Sequence, residues 1–583
     1  SYGYGASQLP IDQATPEAEK NRVIYDTHGI DTWFVNGPMG VQQGFTVEAR
    51  PELGTASGPL TVTVGLGGTL SAAIQPGGDG LNLLRPNGSK ALTFAGLTAF
   101  DATGRVLDAH FELASATGGQ QLQFVVNDTQ AVYPVTIDPY TQVAKLTASD
   151  GATGDYFGSA VAISADGSTI LVGAPQTDDP ISTPGNGFAY VFTLPSGGWA
   201  NATQTAKLRP SNYTSSTNGD LFGWSVSLSA DGSTALIGAP GYSDYGAVYV
   251  YNRPGGGWVN ANQSAMIRAN EVITNTYGEF GQSVSLSADG SIALIGAKRA
   301  DTQGAAYIYN RPGSSWTNTS TYTAKLTASV RALGDLLGYS VSLSSNGTTA
   351  IVGAVGKNSF QGAAYLFNRP SGGWATATES AILTASDGVA SDIFGSAVTI
   401  SGDGQTVLIG AQNVNSSRGA AYIYTKPVSG GWATTSAYNA KFTISSINEN
   451  NHFGCSVSLN ADGSKALIGS YGYDYSPGPS GTNNYKGAAY IFTRPTGGWA
   501  STTAFDQRLM ASDAVASYRL GNSVSLSADG LTAVAGSPGN SADPTTSKGR
   551  TYVFSAGPAN ETACTTVNTT LDVVNATDNL ISL

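Results

Sequence analysis

The sequence predicts an all-β protein, and three observations carry that prediction. Apolar residues alternate with Ser and Thr at a period of two in run after run. Asp-Gly and Asn-Gly pairs, in a chain with 74 glycines, separate those runs as hairpin turns do. From residue 142 onward one unit built this way recurs seven times.

The core of the unit reads Phe-Gly-x-Ser-Val-Ser-Leu-Ser-Ala-Asp-Gly-Ser-x-Ala-Leu-Ile-Gly-Ala. Its turns fall at Asp166, Asp231, Asp289, Asn346, Asp403, Asp462 and Asp529, each followed by Gly, with spacings of 65, 58, 57, 57, 59 and 67 residues. Val226 and Leu228 alternate with Ser, which is a half-buried first strand, and the run after the turn is a second. A third strand follows, such as 246–251 or 304–309. Then comes a Pro/Gly turn that ends in Trp199, Trp258, Trp316, Trp374, Trp432 or Trp499. A fourth strand contains motifs such as Thr323-Ala324-Lys325-Leu326. Four antiparallel strands in each of seven units predict a β-propeller, because radial repetition protects sheet edges. The seventh unit stops after its third strand, whereas Val143-Ala144-Lys145-Leu146 matches a fourth strand and precedes the first unit. Residues 142–147 are therefore expected to complete blade seven and close the ring.

Phe157-Gly158, Phe222-Gly223, Phe280-Gly281, Phe394-Gly395 and Phe453-Gly454, with Gly173-Ala174-Pro175 and Gly238-Ala239-Pro240 downstream, resemble the FG-GAP repeat family. That family includes the integrin α-subunit propeller and exported bacterial surface proteins. The resemblance implies a propeller over 141–555 and leaves function open, since propellers host unrelated activities. Many members carry calcium loops between the first two strands. Here that loop has shrunk to Ser164-Ala165-Asp166-Gly167-Ser168 and its equivalents, with one carboxylate each. Ca²⁺ takes 6–8 oxygens, so no calcium and no other cofactor is expected.

The two ends of the blades differ. Turns 1–2 and 3–4 share one end, which carries Arg253, Arg311, Arg369, Lys426 and Arg494 beside the tryptophans. The other end has longer loops, with Asp155, Asp178, Asp179, Asp220, Asp244, Asp335, Asp392 and Asp474. One reading makes the faces mildly basic and acidic, complementary, and able to stack head to tail, with Trp and Arg as anchors. The plainer reading packs the tryptophans over the blades and leaves the charges solvated.

Residues 23–140 alternate without helical period and read as a β-sandwich-like domain. Trp33 to Pro38, Gln43 to Thr46 and Tyr133 to Pro139 resemble the module that precedes FG-GAP repeats in exported bacterial proteins. Residues 1–22 read as an N-terminal arm, and 556–583 as a strand-like tail with Val567, Leu571 and Val573. That tail either adds to a neighbour's sheet edge or pairs at home. Cys564 lies in it and Cys455 near the other face, so a bond between them is intermolecular or absent.

Composition bounds the function. Charged residues are 12% of 583, half the ~25% of an ordinary domain, and the net charge is −12. Such a chain lacks the basic stripe that nucleic acid needs. It has no apolar run long enough for a membrane helix and too few Cys and His for a disulfide framework or a His-rich metal site. No nucleophile elbow, zinc-protease motif or phosphate loop stands at a suitable junction. Ser, Thr, Asn and Gly in place of charge suit an extracellular protein whose signal peptide has been removed. The expected role is a non-catalytic structural protein whose partner is a further copy of itself, in a filament or surface layer. The alternative is an adhesin or glycan-binding propeller that uses its variable acidic loops.

Overall fold

The computed structural model describes residues 1–555 except 12–13, 20–21, 28, 38–39, 54–57, 67–68, 75–79, 96, 102–105, 117–118, 140, 177–184, 197, 215–218, 270–277, 445–449, 474–484, 496, 504, 512, 515–516 and 540–547. The chain divides into two compact units: one holds Ser1–Val143, the other Ala144–Leu194 and Asn201–Val553.

The first unit is antiparallel β. One sheet orders Ala109–Ala116, Gly119–Val126, Leu60–Leu66, Tyr2–Tyr4 and Ser7–Leu9. A second sheet runs from Val106–Leu107 through Leu97–Phe100, Val135–Pro139, Gly40–Val47, Ile30–Gly37 and Arg22–Thr27 to Glu17–Glu19. Both contribute to one apolar core, with Val62, Leu122 and Phe124 from the first and Ile30, Phe45, Val47 and Ile137 from the second. The first residues are no free arm, which corrects the expectation for 1–22. Tyr2–Tyr4 pairs with Leu60–Leu66, and the Tyr4 hydroxyl donates to buried Asp128 at 2.6 Å. The alternation Tyr-Gly-Tyr puts both rings on one face of that short strand.

The second unit holds seven sheets, numbered here in chain order from sheet 1, which begins at Ala160–Ile163, to sheet 7, which begins at Ser523–Leu526. Sheet 4 is typical: Leu337–Leu343, Thr349–Ala354, Ala363–Asn368 and Ala381–Leu383, each antiparallel to the next. In sheet 7 the strand beside Arg550–Ser555 is Thr141–Thr147. Second strands such as Thr349–Ala354 are buried at every position because sheets lie against both of their faces. The apolar cores lie between successive sheets: Leu294, Ile308 and Leu326 of sheet 3 pack on Val352, Ala354 and Tyr365 of sheet 4.

The Phe-Gly and Gly-Ala pairs are the two halves of one joint. The Phe-Gly glycine of each sheet lies on the Gly-Ala glycine of the preceding sheet. A Cβ on Gly410 would stand 1.9 Å from the Gly454 carbonyl oxygen, and one on Gly173 would stand 1.9 Å from that of Gly223. Only a hydrogen fits there. A serine reinforces the joint: Ser340 Oγ donates to Gly395 O at 2.7 Å, and Ser456 Oγ to Gly521 O at 2.7 Å. The same joint connects sheet 7 to sheet 1, where Ser523 Oγ donates to Gly158 O at 2.8 Å. At the short-turn end, backbone bonds run from sheet to sheet in a cycle. Ala165 donates to Ala230, Ala230 to Ala288, Ala288 to Ser345, Ser345 to Gly402, then Asp403 to Ala461, Ala461 to Ala528, and Ala528 back to Ala165. No single sheet closes on itself; the order of sheets is cyclic.

Outer edges are covered by a device the sequence reading missed. Two residues after each tryptophan stands Asn201, Asn260, Asn318, Thr376, Thr434 or Ser501. Its side chain accepts the backbone N–H of Lys145, Lys207, Met266, Lys325, Ile382 or Lys441, on the outer strand of the preceding sheet, at 2.7–3.1 Å. The next residue then forms a parallel bridge to that strand, as Ala261 does with Leu208 and Thr502 with Phe442. Six outer strands are covered in this way, and covering is how sheets avoid edge-to-edge association. No described residue takes that place against Leu509 in the outer strand of sheet 6, Gln507–Leu509.

Candidate functional site

At the short-turn end the Asp-Gly carboxylates are spent on their own turns. Asp231 Oδ1 accepts Ser229 Oγ at 2.6 Å and the Ser233 N–H at 2.9 Å. Partial burial pushes this carboxyl up, but the serine donors, with Arg253 nearby, outweigh it and hold it below the usual range. Asp166 and Asp289 make the same bonds. A lone carboxylate already satisfied by hydroxyl and amide donors does not fit the oxygen cage of calcium. Among the described residues no group of three metal-ligating side chains stands together.

The tryptophans are turned inward. Trp199, Trp258, Trp316, Trp374, Trp432 and Trp499 are all between 3% and 8% exposed. The indole N–H donates to the glycine carbonyl of the same sheet's Asp-Gly turn: Trp258 to Gly232 at 3.1 Å, Trp316 to Gly290 and Trp374 to Gly347 at 3.0 Å, and Trp499 to Gly463 at 3.2 Å. These four lock two turns of one blade together, while the buried Trp432 Nε1 has no hydrogen-bond partner among the described residues; burial of all six fits the plainer of the two readings, tryptophans packed over the blades. Arg253, Arg369 and Arg494 are exposed; Arg311 and Lys426 are half-buried. Arg253, Arg311 and Arg494 act on Asp231, Asp289 and Asp462 of their own sheets. The five cations named for this end stand among six turn aspartates (166, 231, 289, 403, 462 and 529).

At the long-loop end Asp155, Asp220, Asp335 and Asp392 are internal, whereas Asp244 is exposed. Asp220, Asp335 and Asp392 are at most 5% exposed. Each accepts a loop N–H, from Thr214 at 2.8 Å, Ala332 at 2.9 Å and Val389 at 2.8 Å. Asp335 also receives the Lys357 ammonium at 3.0 Å. These carboxylates hold loops, which corrects their reading as an acidic contact surface. Asp178, Asp179, Asp474 and Cys564 lie outside the described residues. Cys455 is a free thiol that donates to Gly521 O at 3.3 Å, and burial pushes its pKa up to about 11.

A different set of residues stands out at this end. The residue before each Phe-Gly joint, or before its Leu337 and Leu520 counterparts, is not glycine yet has φ between 52° and 59°. These are Tyr156, Leu221, Glu279, Leu336, Ile393, His452 and Arg519. Left-handed backbone at a β-branched Ile or a bulky Tyr is strained, and such strain collects at functional positions. The signal is legible in the sequence: this site holds six different residue types in seven copies, while the Phe-Gly or Leu-Gly pair after it repeats.

Three of these residues make polar clusters. Glu279 pairs with Lys298 at 2.7 Å and Arg299 at 2.9 Å. The His452 ring stacks on Tyr471 with centroids 4.7 Å apart, and the Arg519 guanidinium stands 6.0 Å from the Tyr471 and Tyr485 centroids. Arg519 Nε and His452 Nδ1 are buried and have no hydrogen-bond partner. Burial, then the Arg519 charge, holds the His452 pKa below its ordinary value. The arrangement is a cation among aromatic faces, with no carboxylate against it among the described residues.

The FG-GAP repeat matches the chain at residues 140–192, 202–251, 263–309, 321–367, 377–424, 438–492 and 504–554, and the chain belongs to the FG-GAP repeat family. No curated protein matches the chain. Among the described residues no helix is long and apolar enough to cross a membrane.

Proposed function

We propose that this chain is a non-catalytic extracellular interaction protein, a closed seven-bladed propeller with a sandwich-like N-terminal module, whose copies join head to tail into a filament or layer. The observation that carries the reading is the uneven protection of sheet edges. Six outer strands are covered by the following sheet, and no described residue takes the covering place on the outer strand of sheet 6. With Trp and Asp side chains committed inside the blades, association falls to edges and terminal segments rather than to stacked faces. Electron microscopy and sedimentation of the native protein over a concentration series test this. Elongated, concentration-dependent assemblies are expected; monodisperse single copies at every concentration sink the reading.

The Arg519 cluster favours a second reading, recognition of an acidic glycan at the long-loop end. A guanidinium over aromatic rings suits a carboxylate on a sugar ring, which offers both charge and an apolar face. On this reading an array of uronic-acid glycans binds the native chain, and Arg519→Gln lowers binding at least tenfold. Equal binding by the two proteins removes the site.

A further inference from the structure

We infer that the inner rim of the sheet cycle at its long-loop end, where Trp224 stands, seats one uronic-acid unit of a glycan, with the sugar ring lying on the Trp224 indole. This rests on the acidic-glycan reading above and names the seat and the residue that recognises the sugar ring.

The rim is defined by the fold. Each of the seven first strands touches the first strands of the sheets before and after it, so these strands form the inner wall of the cycle. Their Asp-Gly or Asn-Gly turns lie at one end. The residue that follows each Phe-Gly or Leu-Gly pair lies at the other. All seven of these residues are set by the same turn. The Trp224 N–H donates to Leu221 O at 3.1 Å, that of Tyr339 to Leu336 at 3.2 Å and that of Asn522 to Arg519 at 3.2 Å, and the other four do the same at 3.0–3.1 Å. The acceptor is each time the residue with left-handed backbone. In sheets 3 and 4 the strand ladder shifts register between Phe280 and Ser283 and between Leu337 and Val341, as it does at a bulge that re-aims a side chain. The strained residues described above thus have one common result, which is to bring seven residues to one rim.

The fold asks little of this position. The glycine before it belongs to the joint, and the residue after it is always Ser or Ala. The position itself holds Trp, Tyr, Gln, Asn, Ser or Cys, and no copy is charged or aliphatic. Aromatic faces, amides and hydroxyls match the C–H faces and hydroxyls of a sugar ring. Exposure singles out Trp224. Of the eight tryptophans in the chain, seven are at most 8% exposed and Trp224 is 39% exposed.

Further polar and aromatic groups reach the same rim. Asn522 Nδ2 donates to Ser159 O at 3.2 Å, which ties sheet 7 to sheet 1 there. The Lys298 ammonium stands 5.4 Å from the Tyr339 centroid and donates to Gln282 Oε1 at 3.0 Å. Burial pushes the Tyr471 pKa up to about 12, and Tyr339 adds to the shift from the far side of sheet 5, whose own rim residue is the small Ser396. Tyr471 belongs to the Arg519 cluster, so that cluster borders the rim. Aromatic groups also bind quaternary ammonium ligands, but Arg519 and Lys298 repel a cation. Arg519 instead offers a partner to the sugar carboxylate.

The test measures binding of galacturonic and glucuronic acid trisaccharides, and of their neutral hexose counterparts, to the native chain by calorimetry. It also follows quenching of tryptophan fluorescence by acrylamide. An acidic trisaccharide is expected to bind and to shield the accessible part of the fluorescence, the part that a Trp224→Phe protein lacks. Trp224→Ala is expected to weaken binding at least tenfold without moving the denaturant midpoint, and Trp224→Phe to keep it within about threefold. The neutral sugars should bind at least tenfold more weakly. If Trp224→Ala misfolds, quenching of the native chain decides alone. Binding that leaves Trp224 open to acrylamide, with Arg519→Gln still weakening it, leaves the glycan reading standing and overturns this inference. A native chain that binds no uronic-acid oligosaccharide defeats that reading and this seat with it.

Discussion

Gly410→Ala is expected to destabilise the seven-sheet unit by about 3 kcal/mol or more, or to prevent its folding. The added methyl would stand 1.9 Å from the Gly454 carbonyl oxygen, a distance no Cβ tolerates, and what it meets is backbone. Relief requires sheets 5 and 6 to separate, which exposes the apolar layer between Ile423, Phe442 and Tyr490. Gly431→Ala is the control: nothing lies within 4 Å of its Cβ position, and its φ is not in the left-handed region. It should change stability by no more than about 0.5 kcal/mol. Denaturant unfolding of the three proteins measures both effects. A Gly410→Ala protein as stable as the control shows that the sheets are not joined at this glycine pair.

That joint also explains what the sequence made legible. Strands, turns and repeat boundaries follow from period-two alternation and from Asp-Gly, both local signals, and the seven copies average out local noise. The reason for Phe-Gly and Gly-Ala was not local. Each glycine is required by a backbone one sheet away, as Gly410 is by Gly454 and Gly536 by Gly158, and no window of sequence displays that contact. The same limit hid the Asn, Thr or Ser two residues after each tryptophan, whose partner N–H lies in the preceding sheet. The site residues were misjudged for a related reason. By charge alone Asp220, Asp335 and Asp392 read as loop acids that face water. Backbone N–H groups of tight loops compete for carboxylates as well as water does, and here they hold them. Residues 1–22 read as an arm because three alternating residues, Tyr2–Tyr4, are too few to mark a strand and their partner strand lies some 60 residues later.

Trp316→Ala carries the second large effect, about 3–5 kcal/mol of lost stability. The indole is 3% exposed within the core shared by sheets 2 and 3, and its N–H satisfies the Gly290 carbonyl at 3.0 Å. Trp316→Phe keeps most of the buried area and drops the donor, so it isolates the hydrogen bond. The cost there is about 1–3 kcal/mol, because the carbonyl is left without its partner. Arg311→Ala, five residues away on the same turn, should stay within about 0.5 kcal/mol, since Arg311 acts on the partly exposed Asp289 carboxylate through its charge alone. The three substitutions separate two accounts of a repeated Trp and Arg. If the tryptophan were a contact residue, Trp316→Ala would leave unfolding unchanged and abolish association. If it is the clamp between turns 1–2 and 3–4, unfolding shifts while a folded Arg311→Ala protein associates as before. The clamp bonds turns of one sheet only, so losing it should loosen its own blade first: hydrogen exchange should rise in Ile292–Ala297 and Ala305–Asn310 before it rises in sheet 5.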